Sequence, residues 1–187
     1  VDGFELAVRA VLGQQITVAA ARTLAKRLVE RWGEPVETPW PQLTRLFPTP
    51  SALTQATSDE LGELGIVRQR QTAIKAIALA VDSGELRLSP GEDVQATMAA
   101  LCALPGIGDW TAQYIAMRAL RWPDAFPAAD VALHAALKVP RGSGAAKLAL
   151  AASQAWRPWR SYAVIRTWAG LARTEDHTPI PSSEHSS

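Results

Sequence analysis

The chain has 187 residues, 48% hydrophobic and 20% charged, and a formal net charge of +1. That length supports one or two compact units with an apolar core, and no apolar run reaches the ~18–20 residues of a membrane span. A single cysteine, Cys102, excludes an internal disulfide and a four-cysteine iron–sulfur cluster, three histidines argue against a zinc site, and the small net charge confines any nucleic-acid footprint to a local patch. The first residue is Val1, with neither an initiator Met nor a basic-then-apolar leader, so the chain reads as a piece of a longer protein.

In chain order, Phe4, Val8, Val11 and Leu12 make a helical face that ends near Gly13. Gln14-Gln15-Ile16-Thr17 opens a second helix, with Ile16, Ala20, Leu24 and Leu28 at every fourth position. Gly33, Pro35, Pro39 and Pro41 predict a loop over residues 33–41. Short helices are predicted at 42–47, at 51–56 and at 58–64, the last capped by Thr57 or Ser58. Ile74, Ile77, Ala78 and Val81 predict a longer helix over 68–83.

After Ser89-Pro90-Gly91, the spacing of Val94, Met98 and Leu101 predicts a helix that runs into Leu104-Pro105-Gly106-Ile107-Gly108-Asp109-Trp110. Thr111 to Leu120 is helical again, with no breaker before Pro123. The stretch is therefore helix, short hairpin, helix. Pro105 cannot extend the first helix, while Gly106 and Gly108 permit positive φ and close backbone approach. A Gly-x-Gly turn feeding a helix N-terminus presents unpaired N–H groups and a positive dipole end, which suits a phosphate. A plain helix corner has the same glycines, so the pair alone leaves both readings open.

Residues 122–127 predict a loop, and a helix starts at Ala128-Ala129-Asp130 and runs to about Val139. Pro140 to Gly144 breaks it, residues 145–155 are alanine-rich helix, and a last helix spans about 159–172 with Tyr162, Ile165 and Trp168. From Thr174 onward the composition predicts a disordered tail. No alternating strand pattern and no internal repeat occur, so the predicted class is all-α.

Asp130, just before a helix, reads on position alone as an N-cap. The hairpin string followed by Asp130, with Gly13-Gln14 near the first helix and Trp156-Arg157-Pro158-Trp159-Arg160-Ser161-Tyr162 near the end, resembles the helix-hairpin-helix (HhH-GPD) DNA glycosylase superfamily. It is most similar to the alkylpurine branch, the 3-methyladenine DNA glycosylase II (AlkA) type. The resemblance covers roughly residues 1–172. It implies a two-lobed helical glycosylase domain over residues 1–173, with the hairpin at 104–108 and a tail over 174–187. Members of the branch usually carry an N-terminal β-rich domain that this sequence lacks, in keeping with a cut at Val1.

The resemblance implies a monofunctional glycosylase of base excision repair that releases alkylated purines from double-stranded DNA in the bacterial cytoplasm, as a monomer and away from membranes. Asp130 stands in the place of the catalytic aspartate. An ionised carboxylate there meets the need of an oxocarbenium-like sugar, and a helix N-terminus favours the charge by roughly 0.3–1 kcal/mol. Trp110 and Tyr114, at i and i+4, and Trp168 match base-pocket positions. Trp110 also occupies the place of the Schiff-base lysine of lyase-active relatives, and an indole forms no imine. Lys138 lies about two helical turns beyond Asp130, roughly 12 Å along a continuous helix, and Lys147 cannot be placed from sequence.

Gln15 stands where the best-known alkylpurine member uses an aliphatic wedge. A glutamine can fill the gap and hydrogen-bond the orphaned base, and an exposed helix-start glutamine is the plain alternative. Gly106, Gly108 and Thr111 are the expected phosphate contacts, with Arg157, Arg160 and Arg166 as further cationic candidates. No cofactor is required. By resemblance, a structural Na⁺ or K⁺ is held by the backbone carbonyls of Cys102, Leu104 and Ile107. A non-enzymatic module that docks only DNA backbone, and a glycosylase for another damaged base, are the competing readings.

Overall fold

A computed structural model describes residues 2–175. Among them are α1 (Gly3–Leu12), α2 (Val18–Trp32), α3 (Pro50–Gln55), α4 (Ser58–Glu63), α5 (Arg68–Asp82), α6 (Val94–Ala103), α7 (Asp109–Arg118), α8 (Val131–Ala136), α9 (Ala145–Ala152) and α10 (Arg160–Glu175), with a short 3-10 turn at Ser153–Trp156. The class is all-α, and the one extended pairing among the described residues is an isolated antiparallel bridge between Pro35 and Arg45. No described helix is long and apolar enough to cross a membrane. The chain divides into two compact units, Val1–Pro127 and Ala128–Ser187.

In the first unit α1 is the central element. Leu6, Ala7, Val8, Ala10, Val11 and Leu12 are all buried, and only a narrow outer face, carrying the Glu5–Arg9 ion pair, is polar. It packs against α2, α5 and α7, while α5 also packs on α3 and α4, and α6 on α7. Leu12, Leu28, Leu53, Leu61, Ile74, Ile77, Leu101 and Ile115 are fully enclosed, each worth roughly 1.5–3 kcal/mol relative to exposure. In the second unit α8 packs on α9 and α10.

Most helix starts are written in short polar side chains. Asp2, Thr17, Thr49, Asp93 and Asp130 each accept a backbone N–H three residues on, and Thr57 with Glu60 forms a reciprocal capping box. The starts of α5, α7 and α9 have no side-chain cap.

Four sequence-based expectations are corrected. Residues 42–47 are not helical: Val36 N–H bonds Thr44 O at 2.9 Å, Leu46 N–H bonds Glu34 O at 2.8 Å, and Arg45 Nη1 bonds Gly33 O at 2.7 Å. Those cross-loop partners, with Pro39 and Pro41 lacking N–H groups, leave no helical ladder. The second helix starts at Val18 rather than at Gln14, because Thr17 is its cap and Gln15 is in the left-handed region at φ 55°. The helix after Asp130 stops at Ala136, and Lys138 has φ 54°, so the rise of a continuous helix does not carry from Asp130 to Lys138. The last helix continues to Glu175, past the predicted end at 172 and the predicted tail start at 174. The rest of the expected disordered tail, residues 176–187, lies outside the described residues.

Candidate functional site

The hairpin sits in the first unit, between α6 and α7. Leu104 N–H closes onto Leu101 O at 3.1 Å, and Ile107 N–H closes onto Leu104 O at 3.2 Å. Ile107 is buried and anchors the turn in the core. Gly106 has φ 80°, and a Cβ there would meet Ala73 Cβ of α5 at 3.0 Å, so conformation and space both demand glycine. Gly108 differs from expectation. Its φ is −91° and its ψ 171°, an extended conformation open to any residue, and a Cβ would touch nothing within 4 Å. It is exposed, and it is the uncapped N-cap of α7. The first-turn N–H groups of α7 thus begin on an unobstructed surface without a side-chain acceptor. One turn on, Gln113 joins α7 to the following loop, accepting Phe126 N–H at 2.9 Å.

The turn between α1 and α2 is tied to this hairpin. Gln14 Nε2 donates to Gly106 O at 3.1 Å and to Thr111 Oγ1 at 3.1 Å, and Arg70 Nη2 of α5 donates to the Gln14 carbonyl. Gln15 follows at φ 55°, exposed. Beside this turn a recess of about 350 Å³ is lined by Arg9, Gly13, Ile16, Val18, Arg22 and Tyr114, among others. Thr111 is 4% exposed, so its hydroxyl is inside, against Gln14, rather than on the outer face where phosphate contact was expected.

Trp110 and Tyr114, one turn apart on α7, stack with centroids 5.5 Å apart and planes 5° from parallel. Both are half-buried, and Tyr114 packs against the edge of the core. The pairing makes one continuous aromatic surface with a negative π-face.

In the second unit Asp130 is the N-cap of α8. Its Oδ1 accepts Leu133 N–H at 2.8 Å and Trp168 Nε1–H at 3.3 Å. The half-buried carboxylate and indole are therefore held together by one oxygen. His134 Nε2 bonds the Ala128 carbonyl at 2.7 Å, which closes the turn leading into Asp130. Arg160 is 6% exposed, which removes it from the expected set of surface phosphate contacts, whereas Arg157 and Arg166 are exposed.

The structure thus brings together Trp110 with Tyr114, Asp130 with Trp168, and Gln15 with the hairpin through Gln14. Arg70, Gln14 as a bridging side chain and His134 were not singled out by sequence reasoning. Each acts through a side-chain contact with a backbone carbonyl, and no spacing rule reports such a contact. Among the described residues no cluster of His, Cys, Asp and Glu is placed to hold a metal ion. The carbonyls named for a monovalent cation lie at and beyond the C-terminal end of α6, where helix carbonyls lack intrahelical donors. Leu104 O, although it accepts Ile107 N–H, retains a second lone pair.

Residues 8–161 match the family described as HhH-GPD superfamily base excision DNA repair protein. Over 180 residues the chain is 43% identical to a probable bifunctional transcriptional activator/DNA repair enzyme AlkA of Mycobacterium tuberculosis, covering 96% of this chain and 36% of that protein. It is 37% identical to DNA-3-methyladenine glycosylase 2 of Escherichia coli, covering 90% of this chain and 57% of that protein. The chain therefore spans between about a third and a little over half of these relatives. A DNA-bound 8-oxoguanine glycosylase/lyase of Clostridium acetobutylicum superposes with a TM-score of 0.77 at 19% identity, over 94% of this chain and 61% of that one, a likeness of fold alone. On the family match over most of its length, this chain belongs to the HhH-GPD superfamily of base excision DNA repair proteins.

Proposed function

We propose that the chain is a monofunctional DNA glycosylase domain that extrudes an alkylated purine, 3-methyladenine above all, from duplex DNA and hydrolyses its N-glycosidic bond. The observation that carries this reading is the Asp130 carboxylate, oriented through Oδ1 by Leu133 N–H and Trp168 Nε1–H, in a chain similar to relatives named for 3-methyladenine release. A module that only docks DNA backbone has no use for such a carboxylate.

An N-alkylated purine is cationic and already a good leaving group, so the demand falls on the sugar. As the base departs, C1′ and the ring oxygen gain positive charge, which a fixed carboxylate stabilises and toward whose open face it directs water. Water supplies the new C1′–O bond and loses its proton. The bond to the base breaks, and its electron pair neutralises the purine. Trp110 and Tyr114 offer the stacked, electron-rich face that an electron-poor base favours. The uncapped start of α7 at Gly108, beside the Gly106 turn, is suited to a DNA phosphate, with Gln15 as the side chain that fills the vacated stack. A monovalent cation on the carbonyls of Cys102, Leu104 and Ile107 would neutralise the adjoining phosphate and the negative end of α6. Trp110 stands where an imine-forming lysine is needed for strand cleavage, so the product is an intact abasic site.

The test is base release from methylated duplex by the parent and by Asp130→Asn. Asparagine keeps the cap and the oxygen that accepts the indole N–H, but it has no charge. Loss of ~2.7–4 kcal/mol of transition-state stabilisation lowers the rate by about 10²–10³, with folding and affinity for undamaged DNA retained. Near-parental release by the variant refutes the assignment.

A further inference from the structure

We propose that Gln14 is a positioning residue that locks the Gln15 turn to the hairpin, so that docking a phosphate and filling the vacated base stack occur on one rigid frame. The inference rests on the glycosylase reading and deepens it by adding a residue for base extrusion. Gln14 is separated from its two acceptors by 92 and 97 residues, yet its single amide nitrogen reaches both Gly106 O and Thr111 Oγ1 at 3.1 Å. A carbonyl only accepts, so the orientation of the Gln14 amide is set by chemistry, with Nε2 toward the hairpin. On the other side the Gln14 carbonyl is held by Arg70, from α5. α5 is also the helix whose Ala73 sets the close approach at Gly106. Hydrogen bonds therefore tie the α1–α2 turn both to the hairpin and to α5, and the hairpin itself lies close against α5 at Gly106.

The consequence falls on the neighbouring residue. Gln15 is exposed with φ 55°, a conformation that a residue with a Cβ holds only where its surroundings impose it, at a strain of roughly 1–3 kcal/mol. The surroundings here are the bonds of Gln14 on its N-terminal side and the Thr17 cap of α2 on the other, whose Oγ1 takes Ala20 N–H at 3.2 Å. Without the Gln14 amide bonds, the turn keeps its Val11, Arg70 and Thr17 bonds and the packing of Ile16, but loses its tie to the hairpin. Gln15 would then reach the DNA stack in many orientations, most of them unproductive. Gln14 need not touch DNA for this, which separates it from the phosphate contacts and from Asp130.

A double-mutant cycle decides the matter, because a residue acting only through Gln15 has nothing left to act on once Gln15 is truncated. The proteins are the parent, Gln14→Ala, Gln15→Ala and the double variant. Two readouts are used: base release from methylated duplex, and fluorescence of 2-aminopurine placed opposite a tetrahydrofuran abasic analogue. The second reports insertion into the stack without any chemistry. Gln14→Ala is expected to reduce both by about tenfold, the factor given by ~1.4 kcal/mol for two net hydrogen bonds. In the Gln15→Ala background the same change should cost no more than about twofold, with affinity for undamaged duplex held within about twofold throughout, since phosphate docking stays intact. Thr111→Val, which removes one acceptor at nearly constant volume, is expected to fall between parent and Gln14→Ala, and it keeps the question answerable if Gln14→Ala folds poorly.

Losses that add independently in the double variant overturn the proposal, as does a parallel loss of undamaged-duplex affinity. A parent that binds the abasic duplex without changing the 2-aminopurine signal overturns it too, because no side chain then enters the stack. A parent that inserts and yet releases no methylated base refutes the glycosylase reading and leaves the positioning role standing.

Discussion

The two hairpin glycines should separate folding from docking. Gly106 has φ 80° and its added Cβ would meet Ala73 Cβ at 3.0 Å. An L-residue in the left-handed region costs roughly 1–2 kcal/mol, and forcing a methyl against a carbon fixed to the α5 backbone adds about 1 kcal/mol or more. Gly106→Ala should therefore destabilise the protein by about 3 kcal/mol, a fall in Tm of roughly 6–12 °C for a chain of this size. Gly108 has an ordinary extended conformation and nothing within 4 Å of its added Cβ. Gly108→Val should cost only about 1 kcal/mol, the difference between glycine and valine at an N-cap, well below the loss at Gly106. It places two methyl groups on the surface proposed for phosphate, and losing one charge-assisted bond there would weaken binding about tenfold. The assay pairs urea unfolding with anisotropy titrations of damaged and undamaged duplex at one fixed salt concentration, since phosphate binding varies steeply with salt. An unchanged midpoint for Gly106→Ala would refute the packing argument. A loss of affinity confined to damaged DNA in Gly108→Val would show that the hairpin reads bases rather than phosphates.

Trp168→Phe removes the Nε1–H donor that holds Asp130 Oδ1 at 3.3 Å while keeping a ring, and should lower base release by about tenfold without changing undamaged-duplex affinity; full activity would show that the indole only packs. Borohydride added during turnover on methylated duplex should trap no protein–DNA adduct, and a covalent band lost on Lys138→Ala or Lys147→Ala would overturn the water mechanism. The Glu60 carboxyl is held below its ordinary 4.5, first by Thr57 N–H, then by the Thr57 hydroxyl and Arg31. Its contribution to stability is therefore complete above that ordinary value and fades as pH falls through the lower folded-state value. Glu60→Gln should flatten that acid limb in pH-dependent urea unfolding, and an unchanged limb would count against the capping box as its source.

What could be read without coordinates was the local physics. Periodic apolar positions located α1, α5 and α6, and Pro50 and Thr57 marked the starts of short helices that periodicity alone would not resolve. The failures have two causes. The segment 42–47 looked helical because its competitor is a set of cross-loop bonds from Glu34, Val36 and Arg45. Gln14 to Ile16 looked like a helix start because Ile16 keeps the four-residue spacing, whereas Thr17 is the residue with a capping oxygen. Tertiary partners outweighed local preference in the first case, and a cap outweighed periodicity in the second.

The candidate site divides along the same line. Asp130 was identifiable because its cap is local, three residues from Leu133, and its position relative to the hairpin carries the family likeness. The proposed docking surface could be read from the sequence because it consists of missing side chains. Six described helices begin under a Ser-, Thr- or Asp-type cap, and α7 begins under Gly108 with none. The uncapped starts of α5 and α7 both follow a left-handed glycine, but an added Cβ at Gly65 meets flexible side-chain ends, whereas at Gly106 it meets Ala73 Cβ, fixed to the α5 backbone, at 3.0 Å. A bare N-terminus alone is common. A bare N-terminus held in place by Gly106 and the buried Ile107 costs little further ordering when an anion arrives, because its amides are already fixed. The side chains that hold the Gln15 turn beside it, Gln14 and Arg70, act across 92 and 56 residues, a range at which one sequence contains no periodicity to read.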